Sequence, residues 1–240
     1  MIFRIIPVTI LKSCCIQQKQ GNMSDISLKQ QAYTLIKQKI IDCEYSPDSM
    51  ITEEKLQKDI PVSRTPIRDA ISRLEHEGLV EIHPKRGIHI SGLTIAEMNM
   101  VYETRIMFEP YSIMQYGNTF SEEKLCDFFR IHSSIASPIN QHDAFNMDDE
   151  FHDFIMNAIP NIYIQQCYDI TRIQNRRFRI ISGVCSQQRL AETYQEHLEI
   201  IKACLKKDWT AAAKAMQDHL LKSKSSTFEH LLKDNLLPVS

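Results

Sequence analysis

The stretch that most constrains this chain is PVSRTPIRDAISRLEHEGLVEIHPKRG, residues 61–87. Ser63 is placed to cap a helix, Pro66 falls in its first turn, where a missing N–H costs little, and Gly78 supplies a left-handed stop. Ile67, Ala70, Ile71 and Leu74 recur between them at helical spacing, so one face of a helix over 63–77 is predicted to be buried. LVEIHPKRGIHIS then reads as two short strands around a turn at Pro84–Gly87. Upstream, Leu28, Ala32, Leu35, Ile36, Ile40 and Ile41 form one helical stripe behind Ser27. EYSPDS breaks that helix, and Thr52 opens a short second one, TEEKLQKD. Three short helices and a hairpin predict a winged helix-turn-helix over residues 24–92.

The opposite face of the third helix presents Arg64, Thr65, Arg68 and Ser72. Arg64 and Arg68 are one turn apart at the end a recognition helix pushes into the major groove, where a guanidinium can grip guanine O6 and N7. Ser63 and Thr65 suit phosphate or base contacts, and Lys85 and Arg86 at the hairpin tip suit phosphate or the minor groove. Residues 24–92 hold ten Lys and Arg against eleven Asp and Glu, and the whole chain has a net charge of −2. Attraction to DNA must therefore be focused on one helix face and one turn. A solvated face braced by pairs such as Asp69 with Arg73 is the plainer reading of an isolated arginine. Here the cap, proline, glycine stop and basic hairpin agree, which favours DNA.

From Thr94 the chain is helical. TIAE is a capping box, and helices are expected at 94–116, 121–135, 142–158, 161–181, 187–206 and 208–234. The breaks are Gly117 with Ser121, Ser137-Pro138, Pro160-Asn161, Ser182-Gly183 and Lys207-Asp208. Only 6 Gly in 240 residues, with 43% hydrophobic and 24% charged, suits a mainly α globular protein. The expected fold is thus a winged helix-turn-helix with a small β-hairpin wing, followed over 93–240 by an antiparallel bundle of about six helices. Residues 1–23 are read as a disordered extension or as the product of a start codon assigned too early, with Met23 as the natural start. Their apolar run is broken by Arg4, Pro7 and Lys12, too short to span a bilayer, and followed by no small-residue cleavage site. The seven cysteines are scattered without a C-x-x-C pair, and read as mostly small buried hydrophobes in a reducing cytoplasm.

MDDEFHDF places Asp148 and His152 four apart, on one face of a helix. That spacing suits two metal ligands and equally suits an ordinary surface pair. His197 and His219 each lie in a later amphipathic helix, on or beside the apolar stripe. Three imidazoles and a carboxylate could fill most of a site for zinc, the leading expectation, or for nickel, manganese or iron. Asp149, Glu150 and Asp153 read as solvated neighbours. His76, His83, His89, His132, His142 and His230 lack partner spacing and read as surface residues, with His83 and His89 near phosphate. TRIQNRRFR, with Arg172, Arg176, Arg177 and Arg179, reads as a solvated basic face.

VSRTPIRDAISRLEHEGLVEIHPKRG resembles the signature of the GntR family of bacterial transcription regulators, and the helical remainder resembles the effector domain of its FadR subfamily. The resemblance covers about residues 27–235. It implies a cytoplasmic homodimer, with no membrane partner, on a near-palindromic double-stranded DNA operator, controlled by a small-molecule effector. It carries DNA contacts to Ser63, Arg64, Thr65 and Arg68, the wing glycine to Gly87, and the metal ligands to Asp148, His152, His197 and His219. Open positions on such a metal would suit a small organic acid. Arg105 and Glu109 resemble the subfamily's Arg-x-x-x-Glu, making Arg105 a candidate effector-binding anion anchor; a surface i,i+4 salt bridge is the alternative. Two departures are Pro61, where a glycine with positive φ is usual, and Glu54, where some members carry a basic residue that contacts DNA. The rival functions are a hydrolase-like metalloenzyme fused to a DNA-binding module, and an effector-free DNA-binding dimer.

Overall fold

The computed structural model describes residues 27–134, 140–183, 186–233 and 237. The expectations for residues 1–23 and for the break at Ser137-Pro138 lie outside the described residues. The N-terminal part comprises α1 (Leu28–Ile41), β1 (Met50–Ile51), α2 (Glu53–Asp59), α3 (Arg64–His76), β2 (Val80–His83) and β3 (Gly87–Ile90). Ser27 and Thr52 cap α1 and α2 as expected, accepting from the backbone N–H groups of Gln30 and Lys55. Ser63 occupies the cap position of α3 without a side-chain cap bond, so its hydroxyl stays available.

α3 ends in a Schellman motif. Leu79 N–H bonds the Leu74 carbonyl and Gly78 N–H that of Glu75, with Gly78 at φ 71°. The turn before α3 needs no glycine. Val62 N–H closes onto the Ile60 carbonyl at 2.8 Å, an i→i+2 turn centred on Pro61, whose ring sets the negative φ that an inverse γ-turn requires.

The expected hairpin of β2 and β3 forms, and β1 extends it to a three-stranded antiparallel sheet in the order β1-β3-β2. β1 is two residues long, too short to leave a periodic signal, and it exists by pairing with β3. That pairing explains Gly87: its φ is 123°, and a Cβ there would sit 2.6 Å from the Ile51 carbonyl oxygen of β1. Ala32, Ile36 and Ile40 of α1 pack with Leu56, Ile67, Ala70, Ile71, Leu74, Ile88 and Ile90 in one core. Each such Leu or Ile contributes about 1.5–3 kcal/mol of transfer free energy. Leu28 and Leu35 are exposed, so the buried stripe of α1 is narrower than its sequence suggests.

Six further α-helices follow among the described residues: α4 (Ile95–Tyr116), α5 (Glu122–Ser134), α6 (Gln141–Met156), α7 (Ile162–Ser182), α8 (Gln187–Leu205) and α9 (Trp209–Lys233), with a short 3-10 turn at Gly117–Thr119 after α4. α4 opens with the predicted Thr94–Glu97 capping box. It packs against α9 and α7, while α8 packs between α5 and α9. One core gathers Phe151, Ile155, Ile200, Ile201, Met216 and Leu220, and another gathers Met98, Tyr102, Phe178 and Leu231. Of the described cysteines Cys204 is buried and Cys43 partly so, whereas Cys126 and Cys167 are exposed, against the expectation of burial. Among the described residues no helix is long and apolar enough to cross a membrane.

Gly87→Ala should lower thermal stability more than Gly183→Ala. Gly183 also has positive φ (60°), but open space surrounds its Cβ position. Differential scanning calorimetry should give a loss of about 1–2 kcal/mol for the left-handed alanine at 183 and about 2–4 kcal/mol at 87, where strain and clash combine.

Candidate metal centre and nucleic-acid interface

The exposed face of α3 carries Arg64, Thr65 and Arg68 beside the wing tip with Lys85 and Arg86. Arg64, Arg68, Lys85 and Arg86 border a groove between α3 and the wing. Arg68 is 66% exposed, and both Glu53 oxygens hold its Nε at 2.9 and 3.0 Å. Its two terminal nitrogens have no partner among the described residues. Glu54 is exposed at the start of α2 and within electrostatic reach of Arg64.

The second constellation is interior. Asp148 and His152 of α6, His197 of α8 and His219 of α9 are all buried, and one donor atom from each lies within 4.8 Å of the others. His197 Nε2 is 3.4 Å from His219 Nε2 and 3.6 Å from Asp148 Oδ1; His152 Nε2 is 3.8 Å from Asp148 Oδ2. The opposite ring nitrogens are all engaged. His152 Nδ1 meets Glu109 Oε2 at 2.5 Å, His219 Nδ1 meets Glu196 Oε2 at 2.7 Å, and His197 Nδ1 meets His132 Nε2 at 3.1 Å. His132 Nδ1 in turn meets the Phe128 carbonyl at 2.7 Å.

These contacts assign the tautomers. Carboxylates and carbonyls only accept, so His152, His219 and His132 carry their protons on Nδ1. His132 Nε2 is then an acceptor, which places the His197 proton on Nδ1 as well. Three Nε2 lone pairs therefore converge on a carboxylate, and His152 Nε2 is buried without a hydrogen-bond partner. Burial and the neighbouring His219 push His197 well below its ordinary pKa, keeping it neutral. Burial opposes charge on Asp148, but Arg179, at 2.6 Å from Oδ2, holds its carboxyl well below the usual range. Imidazole lone pairs and an ionised carboxylate are what binds a divalent metal, and among the described residues no hydrogen-bond partner reaches His152 Nε2.

Arg105 lies behind this cluster. Its guanidinium is buried, and its Nε is 2.6 Å from Glu109 Oε1, which also accepts from Tyr168 Oη at 2.8 Å. Burial would raise the pKa of Glu109, yet Arg105 and His152 hold it down to about 2. The pair is thus i,i+4 but not on the surface, and Arg105 is committed to Glu109 rather than open to the cavity beside Asp148.

The run TRIQNRRFR is not a solvated face: Arg176 and Arg177 are buried and Arg179 nearly so. Arg179 Nη1 reaches Asp148 and, at 3.1 Å, Asp149; Arg176 Nη1 reaches Asp149 at 2.7 Å. Arg176 also bonds Asp42, just past α1, at 3.0 Å, and Arg177 Nη2 bonds the Ser91 carbonyl at 2.5 Å. Asp149 is accordingly a paired, part-buried group, and Asp153 is partly buried against Arg172, so neither is the solvated neighbour expected. A narrow cavity of about 30 Å³ adjoins Asp148 and His219, lined also by Arg179, Arg189, Tyr194, Ser223 and Thr227. A larger depression of about 920 Å³ is an open groove along α8 and α9, and none of the four cluster residues lines it.

Comparison with known proteins agrees with both halves. Residues 28–90 match the model of the bacterial regulatory proteins of the gntR family, and residues 100–222 match the FCD domain. The chain belongs to the GntR family. This regulator is 25% identical to the transcriptional repressor RspR of Escherichia coli K12, over 80% of its own length and 86% of the relative's. It is 26% identical to the gluconate operon transcriptional repressor of Bacillus licheniformis, over 81% and 79%. A GntR regulator structure from Rhodococcus sp. RHA1 superposes with TM-score 0.71 at 16% identity, covering 85% of this chain and 99% of the other. The Zn2+-bound FCD domain of TM0439 superposes with TM-score 0.50 at 19% identity, covering 60% and 99%. GntR regulators bind DNA, and this chain is a transcriptional regulator with a winged helix-turn-helix and an FCD domain.

In the regulator, sequence reasoning missed His132, Glu109 and Glu196 as partners of the imidazoles. His132 was expected at the surface but is buried. A signal existed, because Leu125, Phe128 and His132 continue one helical stripe. Glu109 and Glu196 carried none, since their partners are 43 and 23 residues away. Glu109→Ala should strand the buried Arg105 charge and cost about 3–5 kcal/mol in urea unfolding. The double variant Arg105→Met, Glu109→Leu should recover most of that loss.

Proposed function

We propose that this regulator is a cytoplasmic homodimer whose helical part, residues 93–240, senses a small organic acid beside a divalent metal, and whose residues 24–92 read a near-palindromic operator. The carrying observation is the convergence of three tautomer-locked Nε2 lone pairs on the Asp148 carboxylate. Asp148, His152, His197 and His219 hold the metal, zinc first, with nickel, manganese or iron as alternatives. The zinc-bound FCD domain of TM0439 supports that reading. When bound, such an ion supplies a Lewis-acidic receptor for a carboxylate. Arg179 and Arg189 supply positive charge at the cavity wall, and Arg105 acts from behind by positioning Glu109.

Sensing fits the surroundings better than catalysis. Glu109, Glu196, His132 and Asp149 are each engaged by a partner, which leaves none of them free as a general base. A cavity of about 30 Å³ holds a water or two, not an organic acid. An effector must therefore select an arrangement in which the walls stand further apart, which is what lets it bias the protein. Met100, Met107 and Met114 recur at heptad spacing on the exposed face of α4 with Tyr111, an apolar stripe suited to a second copy.

At the operator, Ser63, Arg64, Thr65 and Arg68 face the major groove, while Lys85, Arg86 and the Gly87 backbone meet phosphate or the minor groove. The route between the halves is the chain of ion pairs Asp148–Arg179–Asp149–Arg176–Asp42.

Arg64→Ala or Arg68→Ala should reduce affinity for a site selected from a random DNA library at least tenfold, about 1–3 kcal/mol per lost bidentate contact, with the dimer mass unchanged in native mass spectrometry. Full sequence-specific binding by both variants would refute the DNA-reading assignment. For the sensor half, zinc loading of chelator-stripped protein should change operator affinity. Arg176→Gln should still take up zinc but lose that change. Turnover of an added organic acid would instead establish an enzyme.

A further inference from the structure

We propose that the wing carries a second divalent-metal site, formed by Glu81, His83 and His89. Glu81 and His83 are two apart on β2 and so share one face of the strand. His89 on β3 is the cross-strand partner of Glu81, which brings it to the same face. Glu81 Oε2 lies 3.5 Å from His83 Nε2 and 3.7 Å from His89 Nδ1. All three donor atoms fall within 4.8 Å of one another. Zinc bonds of about 2.0–2.2 Å set tetrahedral ligand atoms roughly 3.4 Å apart, so small side-chain adjustments would enclose an ion.

The far nitrogen of His89 decides the chemistry. His89 Nε2 is 3.0 Å from Asp48 Oδ1. A carboxylate can only accept, so in the neutral ring the proton sits on Nε2 and Nδ1 keeps a lone pair. That Nδ1 atom is buried and has no hydrogen-bond partner. A buried acceptor facing a carboxylate is an electrostatic mismatch that a cation between them relieves. Asp48 is itself held in place: its φ is 61°, and its N–H bonds the Ile90 carbonyl at 3.0 Å. A carboxylate behind the ring is the arrangement that orients metal-ligating imidazoles.

Two imidazoles and one carboxylate select borderline divalent ions such as zinc, nickel or copper over magnesium or calcium. The site is shallow, with Glu81 65% and His83 42% exposed, so positions on the ion remain open to solvent. It lies two residues from Lys85 at the wing tip. An ion there cancels the Glu81 charge on a surface that, in the proposed function, meets phosphate, and an open position can take a phosphate oxygen. Ion binding itself does not depend on that reading.

The test uses the full chain, stripped with chelator and titrated with zinc in a calorimeter. His197→Ala, which disables the buried cluster, should still take up one equivalent. Adding Glu81→Gln and His83→Gln to that chain should reduce uptake to none. Equal uptake by both chains, or none by the first, overturns the proposal. If His197→Ala does not fold, the ring-nitrogen NMR signals of His83 and His89 in the wild-type protein decide. Zinc-induced shifts at both support the site, and unchanged signals overturn it.

Discussion

Three imidazole lone pairs face a carboxylate in the interior of the helical domain, and much of the surrounding structure follows from that unfavourable arrangement. Buried acceptors aimed at one another are costly where water is excluded. Here Glu109, Glu196 and His132 hold the far nitrogen of each ring, so no ring can turn away to find a donor. Five helices are tied to one point in this way: α4 through Glu109, α5 through His132, α6 through Asp148 and His152, α8 through Glu196 and His197, and α9 through His219. A cation held there would relieve the mismatch and stabilise the bundle, because the ligand arrangement exists only in the folded chain.

The same arrangement accounts for the buried arginines of α7. Asp148 remains ionised in the interior because Arg179 neutralises it, and Asp149 lies between Arg179 and Arg176. Arg176 then reaches Asp42 at the end of α1 in the winged helix-turn-helix, and Arg177 reaches the connecting segment at Ser91. Charges that balance the buried Asp148 carboxylate at one end therefore grip the winged helix-turn-helix at the other. In a family whose members regulate transcription, such a continuous polar route gives a physical basis for the proposed linkage between the helical domain and operator binding.

Local chemistry made most of the helical framework legible. Ser27, Thr52 and the Thr94–Glu97 box cap their helices as their sequence contexts predict, and Gly78 terminates α3 in a left-handed turn. The six helices after Thr94 begin and end within about two residues of expectation. β1 was not legible, since two residues carry no periodicity and form a strand only beside β3. Pro61 looked like a departure from a glycine turn; the chain uses a tighter turn that suits proline. The arginines of α7 were misread because composition cannot distinguish a solvated basic run from one neutralised by acids on another helix.

Spacing and register alone determined the mainly α architecture, the recognition helix with its exposed Arg64 and Arg68, and the inward-facing positions of His152, His197 and His219. These depend on relations within single helices, where 3.6 residues per turn connect sequence to direction. Tertiary structure decided which groups meet: Glu109 with His152, Glu196 with His219, His132 with His197, Arg179 with Asp148, and His89 with Glu81 and Asp48. Each pairing joins side chains from different helices, strands or connecting segments. Their distances are set by how hydrophobic faces pack across the whole chain, and no local pattern in the sequence encodes that.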